Sequence, residues 1–113
     1  MARLSAGNLD RRITIERAVM TTGGFNERVP TWSPLATVWA HRRDASAGEA
    51  YRAQEVGAQL TTRFTIRYSS TVSDVNPKDR INYDGRVYNI TAVREPEGTR
   101  NEWIEIDAVA RSD

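Results

Sequence analysis

The stretch 80-RINYDGRVYNITAV-93 decides the fold. Asp84-Gly85 lies between two runs that alternate polar and apolar residues. A two-residue Asp-Gly loop marks a type I′ hairpin, because its backbone twist matches that of the strands it joins. The turn sets the register, with Tyr83 opposite Arg86 and Ile81 opposite Tyr88. Side chains alternate across a strand, so Ile81, Tyr83, Tyr88 and Ile90 share one face. A lone hairpin with one apolar face is not stable in water, and its edges must be covered. The rest of the chain has to supply the missing strands.

The period of two recurs outward from the hairpin. In 11-RRITIERAV-19, Ile13, Ile15 and Val19 fall on one face and Arg12, Thr14 and Glu16 on the other. In 34-PLATVWAHRR-43, Val38, Ala40 and Arg42 face one way, and Thr37, Trp39, His41 and Arg43 face the other. In 60-LTTRFTIRY-68, Leu60, Thr62, Phe64, Ile66 and Tyr68 oppose Thr61, Arg63, Thr65 and Arg67. In 100-RNEWIEIDAVA-110, Ile104, Ile106, Ala108 and Ala110 point inward, and Glu105 and Asp107 outward. Residues 1–10 read as an N-terminal arm. The segment 20-MTTGGFNERVPTW-32, with its Gly-Gly, Asn and Pro, reads as a long loop, and 69-SSTVSDVNPK-78 as a polar connection. One segment breaks the period. Ser46 and Glu49 have capping-box spacing, Ala47, Ala50, Tyr51 and Gln54 share a helical face, and Gly57 stands where a helix stops. This predicts a helix over 46–57, too short to hold without packing. The expected fold is mainly β, a small antiparallel β-barrel of about six strands with one short α-helix, in a single domain over 1–113.

The length of 113 residues allows one modest core. With no cysteine, disulfides and thiolate metal sites are excluded. The single histidine would leave any metal site dominated by carboxylates, and none cluster at ligand spacing, so no cofactor or metal is expected. The chain shows neither a signal-like apolar run nor a stretch able to span a bilayer, which predicts a soluble protein made in a cytoplasm, without a membrane partner. A net charge of +1 is too small to act as a DNA-binding field. The two ends are oppositely biased. Residues 1–19 carry four Arg against Asp10 and Glu16, while 94–113 carry Arg94, Arg100 and Arg111 against six acids. That asymmetry fits either steering between subunits or cross-strand pairing within one chain.

The stretch 36-ATVWAHRRDASAGEAYRAQ-54 holds the histidine, His41, with Asp44 and Ser46 close behind. These are triad residue types, but no glycine-framed serine elbow is present, and Ser46 already serves as a helix cap. The letters His-Arg-Arg-Asp match a kinase catalytic loop without its glycine-rich loop or strand lysine. Glu102, Glu105 and Asp107 alternate as a solvated strand face does, and Gly23-Gly24 reads as a turn. A nucleic-acid surface has more content. Arg63 and Arg67 share a strand face, and Trp39 and Arg43 share another on which a base can stack. Against it, outward arginines are ordinary on strands, and tryptophan packs in cores and interfaces. A stand-alone oligonucleotide-binding barrel is the alternative function.

The order of these patterns carries a resemblance. Gly7-x-Leu9-x-x-Arg12-Ile13-Thr14-Ile15 is followed by Trp32, Val38-Trp39-Ala40, Ser46-Ala47-Gly48-Glu49 and Thr65-Ile66-Arg67-Tyr68. Arg80-Ile81-x-Tyr83-x-Gly85-Arg86-x-Tyr88-x-Ile90 then leads to the final strand. Over residues 5–110 the chain resembles the head–tail joining proteins (head-closure, or stopper, proteins) of long-tailed bacteriophages and gene transfer agents. The resemblance implies a virion protein without catalysis, arranged as a ring, usually of twelve copies. The ring would sit between the portal and its adaptor above and a tail terminator or tail-tube protein below. It would close the channel for genomic double-stranded DNA after packaging and dock the tail. The channel-side residues would be Arg42, Arg43, Glu49, Arg52 and Glu55, on the 46–57 helix and its flank. Residues 42–57 carry three Arg and three acids, so such a lining lets DNA slide without sticking. The same helix also reads as an amphipathic patch on the barrel's end. Phe25, Trp32, Trp39, Arg63 and Arg67 would face ring neighbours or the tail.

Overall fold

The computed structural model describes residues 6–44 and 60–111. A 3-10 turn at Ala6–Asn8 leads into six strands: β1 (Arg11–Thr22), β2 (Arg28–Asp44), β3 (Thr62–Arg67), β4 (Arg80–Tyr83), β5 (Arg86–Arg94) and β6 (Trp103–Ala110). Every pairing is antiparallel, and the strands close into a barrel in the order β1-β2-β3-β6-β5-β4. The mainly β barrel read from the sequence is therefore the fold. The helix expected over 46–57, with Glu49, Arg52 and Glu55, lies outside the described residues.

The β4–β5 hairpin pairs Tyr83 with Arg86 and Ile81 with Tyr88. Asp84 and Gly85 take φ values of 53° and 76°, the two left-handed residues that a type I′ turn requires. The inward residues of all six strands meet in one core. Ile13, Ile15, Ala40, Phe64, Ile66, Ile81, Tyr88, Ile90, Ile104, Ile106 and Ala108 are buried there. Phe64 is at its centre. Its ring meets Tyr88 edge-on at 5.3 Å and Tyr83 at 6.0 Å, the geometry that aromatic quadrupoles favour.

Strand order explains the next feature. β3 and β4 lie on opposite sides of the barrel, so the chain between them must cross one open end. The segment expected as a polar connection does this by folding into turns, with Val72 N–H donating to Ser69 O and Val75 N–H to Val72 O. Val72 and Val75 drop into the opening and join the core. The sequence reading missed this plug because its two apolar residues are three apart, a spacing that belongs to turns and not to a strand.

The long loop expected over 20–32 is also corrected. β1 runs on to Thr22 and β2 starts at Arg28, leaving a turn at Gly23–Glu27. Gly23 N–H donates to Glu27 O at 2.6 Å, Asn26 N–H donates to Gly23 O at 3.2 Å, and Asn26 has φ 61°. This is a type I turn followed by a left-handed residue. Its flanks are rich in Val and Thr, which favour strands, and the Thr21 and Thr31 hydroxyls meet at 3.0 Å across them. Pro30 is tolerated because β2 has no second neighbour there. The alternation is hard to see because this ribbon has left the barrel and no longer packs one face on a core. For the same reason Val19, expected inward, is exposed. Leu60, also expected inward, precedes β3 and is exposed. The last strand starts at Trp103 and not at residue 100, after a loop containing Gly98 and Asn101 at positive φ.

Phe64→Ala is expected to remove about 3–5 kcal/mol of stability by opening a cavity at the core's centre. Gly85→Ala, facing open space at φ +76°, is expected to cost only about 1–2 kcal/mol of backbone strain. Chemical denaturation of both variants checks the order.

Candidate assembly surfaces

The two ends of the barrel differ. At the plugged end, β1 pairs with β4 only through Thr14–Asn82, Ile15–Ile81 and Glu16–Arg80. The β1–β2 register slips between Ile15 and Glu16, a bulge that sharpens the local twist. Beyond it, β1 pairs with β2 alone, from Arg17–Ser33 to Thr22–Arg28. The root of this ribbon is clamped. Arg80 Nε donates to Glu16 Oε1 at 2.7 Å, and its guanidinium lies 4.1 Å from the Trp32 ring centre. Arg17 donates from Nε and Nη2 to the two oxygens of Asp79, each at 3.0 Å, and from Nη1 to Asp74 Oδ2 at 3.0 Å. Asn76 N–H also donates to Asp79 Oδ2. The Asp79 side chain is only 2% exposed. A buried carboxylate is tolerable when paired and hydrogen-bonded in this way. These bonds, first that to Asp79, raise the Arg17 pKa, and the bond from Arg17 holds Asp74 below the usual carboxylate range.

Past the clamp the ribbon projects into solvent. Val19, Met20 and Val29 are exposed along it, and Phe25 at the apex is 90% exposed. Trp32, expected at an interface, is half-buried under Arg80 at the root. The molecule spans 53 × 38 × 23 Å.

The outer wall separates the expected arginines. Arg63 Nε donates to Asp107 Oδ1 at 3.0 Å, while Arg94 donates to Glu105 at 3.1 Å and to Asp107 Oδ2 at 2.9 Å. Two guanidiniums and two carboxylates thus cancel within the chain. Burial pushes the Asp107 carboxyl up, but the bonds from Arg94 and Arg63 outweigh it and leave the pKa lowered. Arg67 lies elsewhere, 5.7 Å from the Trp103 ring centre, and Arg12 lies 5.0 Å from that of Trp39. Arg12 opposes Trp39, and Arg67 opposes Trp103. Carrying the Ala40–Ile66 register one step further sets Arg67 beside Trp39. The result is a row across four strands, Arg12–Trp39–Arg67–Trp103, with Trp39 51% exposed. Arg12 and Trp103 were not singled out from sequence, because their partners become visible only once the register is known.

At the other end, Arg42 and Arg43 project from opposite faces of β2. Arg42 donates to Asp44 Oδ1 at 3.2 Å and lies 5.5 Å from the Tyr83 ring centre, and Thr62 Oγ1 donates to the same Asp44 oxygen. Arg42, Asp44, Leu60, Arg86, Tyr88 and Ala110 line an open cleft of about 410 Å³. His41 stands on the outer face beside Thr65, away from Asp44, and Ser46 lies outside the described residues. Among the described residues no cluster of His, Asp or Glu is placed to hold a metal ion, and no helix is long and apolar enough to cross a membrane.

A family model described as phage head completion protein matches residues 4–111. The chain belongs to this family. It is a phage head structural protein, as the order of its sequence motifs implied. The solution structure of protein SF1141 from Shigella flexneri 2a superposes with a TM-score of 0.71 and 30% identity, over 97% of this chain and 99% of that one. A chain from the virion of a native gene transfer agent particle shares the fold, with a TM-score of 0.64 and 21% identity over 93% and 97%. Comparison with curated proteins finds no significant match.

Arg17→Ala leaves Asp79 buried without its cation. Because Arg17 is itself about a third exposed, a loss of roughly 2 kcal/mol is expected, below the value for a fully buried pair. Equilibrium unfolding of the variant measures it. The Asp107 pKa is depressed in the fold, so its contribution is present above the unfolded value of about 3.9 and fades as pH falls through the folded value. Asp107→Asn should therefore flatten the acid limb of a stability–pH curve.

Proposed function

We propose that this head completion protein forms a ring in the neck of a phage-type particle, between the portal and its adaptor above and the tail below. There it closes the DNA channel after packaging and presents the surface on which the tail docks. The observation that carries this reading is the ribbon. Val19, Met20, Phe25 and Val29 sit exposed on an arm that adds nothing to the barrel core. Val19 and Val29 share one face of the ribbon and Met20 lies on the other, and apolar groups left exposed together on a projecting arm mark protein contacts. Family membership and the fold shared with a gene transfer agent virion chain support the same reading.

The polar residues fit a structural role in this reading and are given no catalytic one. Wall arginines Arg63 and Arg94 are matched by Glu105 and Asp107, which leaves little charge there to hold phosphate. At the other end of the barrel Arg42 is matched by Asp44. Arg42, Arg43, Glu49, Arg52 and Glu55 would line the channel, and Asp44 brings the count over 42–57 to three Arg against three acids, so that DNA passes without sticking. The partners are copies of this chain, twelve by family resemblance, with the adaptor above, a tail terminator or tail-tube protein below and the packaged duplex within. Assembly would take place in the bacterial host's cytoplasm.

Electron microscopy of complete particles is expected to place this chain in the neck. Particles lacking it should have tail-less heads that lose DNA. Density in the capsid wall or the distal tail would overturn the reading. Purified chain should not retard duplex or single-stranded DNA at 150 mM salt, a concentration at which an oligonucleotide-binding barrel would still bind with a steep salt dependence.

A further inference from the structure

Phenylalanine at the apex of a hairpin turn is an unusual choice, because turn positions favour Gly, Asn, Asp and Ser. Here Phe25 is 90% exposed, two residues from Glu27, whose exposed side chain has no hydrogen-bond or ion-pair partner among the described residues. The same chain carries a surface of matching chemistry, the Arg12–Trp39–Arg67–Trp103 row. Its guanidiniums lie over indole rings and make no salt bridge to a carboxylate among the described residues. An aromatic knob with a carboxylate beside it fits an indole with a guanidinium beside it. Tryptophan and arginine dominate binding energy at protein interfaces, and the opposite charges set orientation.

We infer that the ribbon of one subunit docks on the Arg/Trp row of the next copy, with Phe25 against Trp39 and Glu27 paired with Arg67. This inference rests on the neck-ring reading and names the contact that builds the ring. Ribbon and row are different surfaces, so the contact is heterologous, and its repetition makes a ring when the rotation closes. Size sets a further condition. Six residues per strand reach about 20 Å, and two strands are roughly 10 Å wide, so each ribbon face offers on the order of 200 Å². A stable two-body interface needs about 800 Å² per partner. One such contact is therefore weak, and holding together depends on every subunit being gripped on both sides in the closed ring.

The chain has no cysteine, so an introduced thiol is unique. Gly24 has open space around its Cβ direction and adjoins Phe25. Thr37 is exposed on the face that carries Trp39. A chain with Gly24→Cys and Thr37→Cys, assembled into particles and oxidised, is expected to give a ladder of cross-linked multimers. A chain with Gly24→Cys and Asn89→Cys, the second thiol on β5 across the barrel, should give none. No ladder from the first pair, or equal ladders from both, overturns the inference. Glu27→Arg and Arg67→Glu should each lower the yield of complete particles at least tenfold, and the double reversal should restore most of it. A double variant no better than either single one overturns the Glu27–Arg67 pairing. If microscopy shows a neck ring whose ribbons enter the adaptor or the tail, the contact fails while the ring stands. If the chain is not in the neck, both fail.

Discussion

Three residue pairs hold the barrel shut. β1 meets β4 only at Thr14–Asn82, Ile15–Ile81 and Glu16–Arg80, the shortest seam of the barrel. It has to be short. β1 must turn out of the sheet at the Ile15/Glu16 bulge to become one half of the ribbon. Hydrogen bonding there is replaced by charge: Glu16 with Arg80, and Arg17 with Asp79 and Asp74. Asp79 also accepts from Asn76 N–H, so one carboxylate ties the seam to the plug that carries Val72 and Val75. Closure, plugging and the ribbon's departure share a single set of contacts.

Much of this was legible in the sequence for a physical reason. A strand buried on one face and wet on the other writes its period into the chain. Ile13 and Ile15, Phe64 and Ile66, and Ile104 and Ile106 all announced themselves this way, and Asp84-Gly85 supplied a register. Residues that obey other rules were hidden. Val72 and Val75 pack from turns, where no period applies. Val19 keeps the parity of the core face but has travelled past the core. The ribbon was disguised by Gly23, Gly24, Asn26 and Pro30, residues that usually interrupt strands but here sit in a turn and on an unpaired edge.

The assembly surfaces divide along the same line. Composition showed many arginines, but only pairing separates those already engaged from those facing outward. Arg63 is held by Asp107 and Arg80 by Glu16. Arg12 and Arg67 instead lie on indole rings. Of the acids toward the C-terminal end, Glu105 and Asp107 of β6 contact Arg63 of β3 and Arg94 of β5, and among the described residues no acid of this end contacts an N-terminal arginine. Arg42 and Arg43 are adjacent in sequence and serve opposite sides of one strand, so a cluster read as a unit is split by the pleat.

The ribbon leaves the barrel at its plugged end, whereas Asp44 and Leu60 stand at the opposite, cleft-bearing end. The molecule therefore has a direction. Any assembly in which copies share an orientation inherits two unlike faces, one bearing clefts and one bearing plugs. Such a layer cannot be inverted without presenting the wrong chemistry to both neighbours, and it cannot stack back-to-back on itself as an equivalent contact. Polarity of this kind, fixed by where two valines cross a barrel, is what a joint between two dissimilar objects requires.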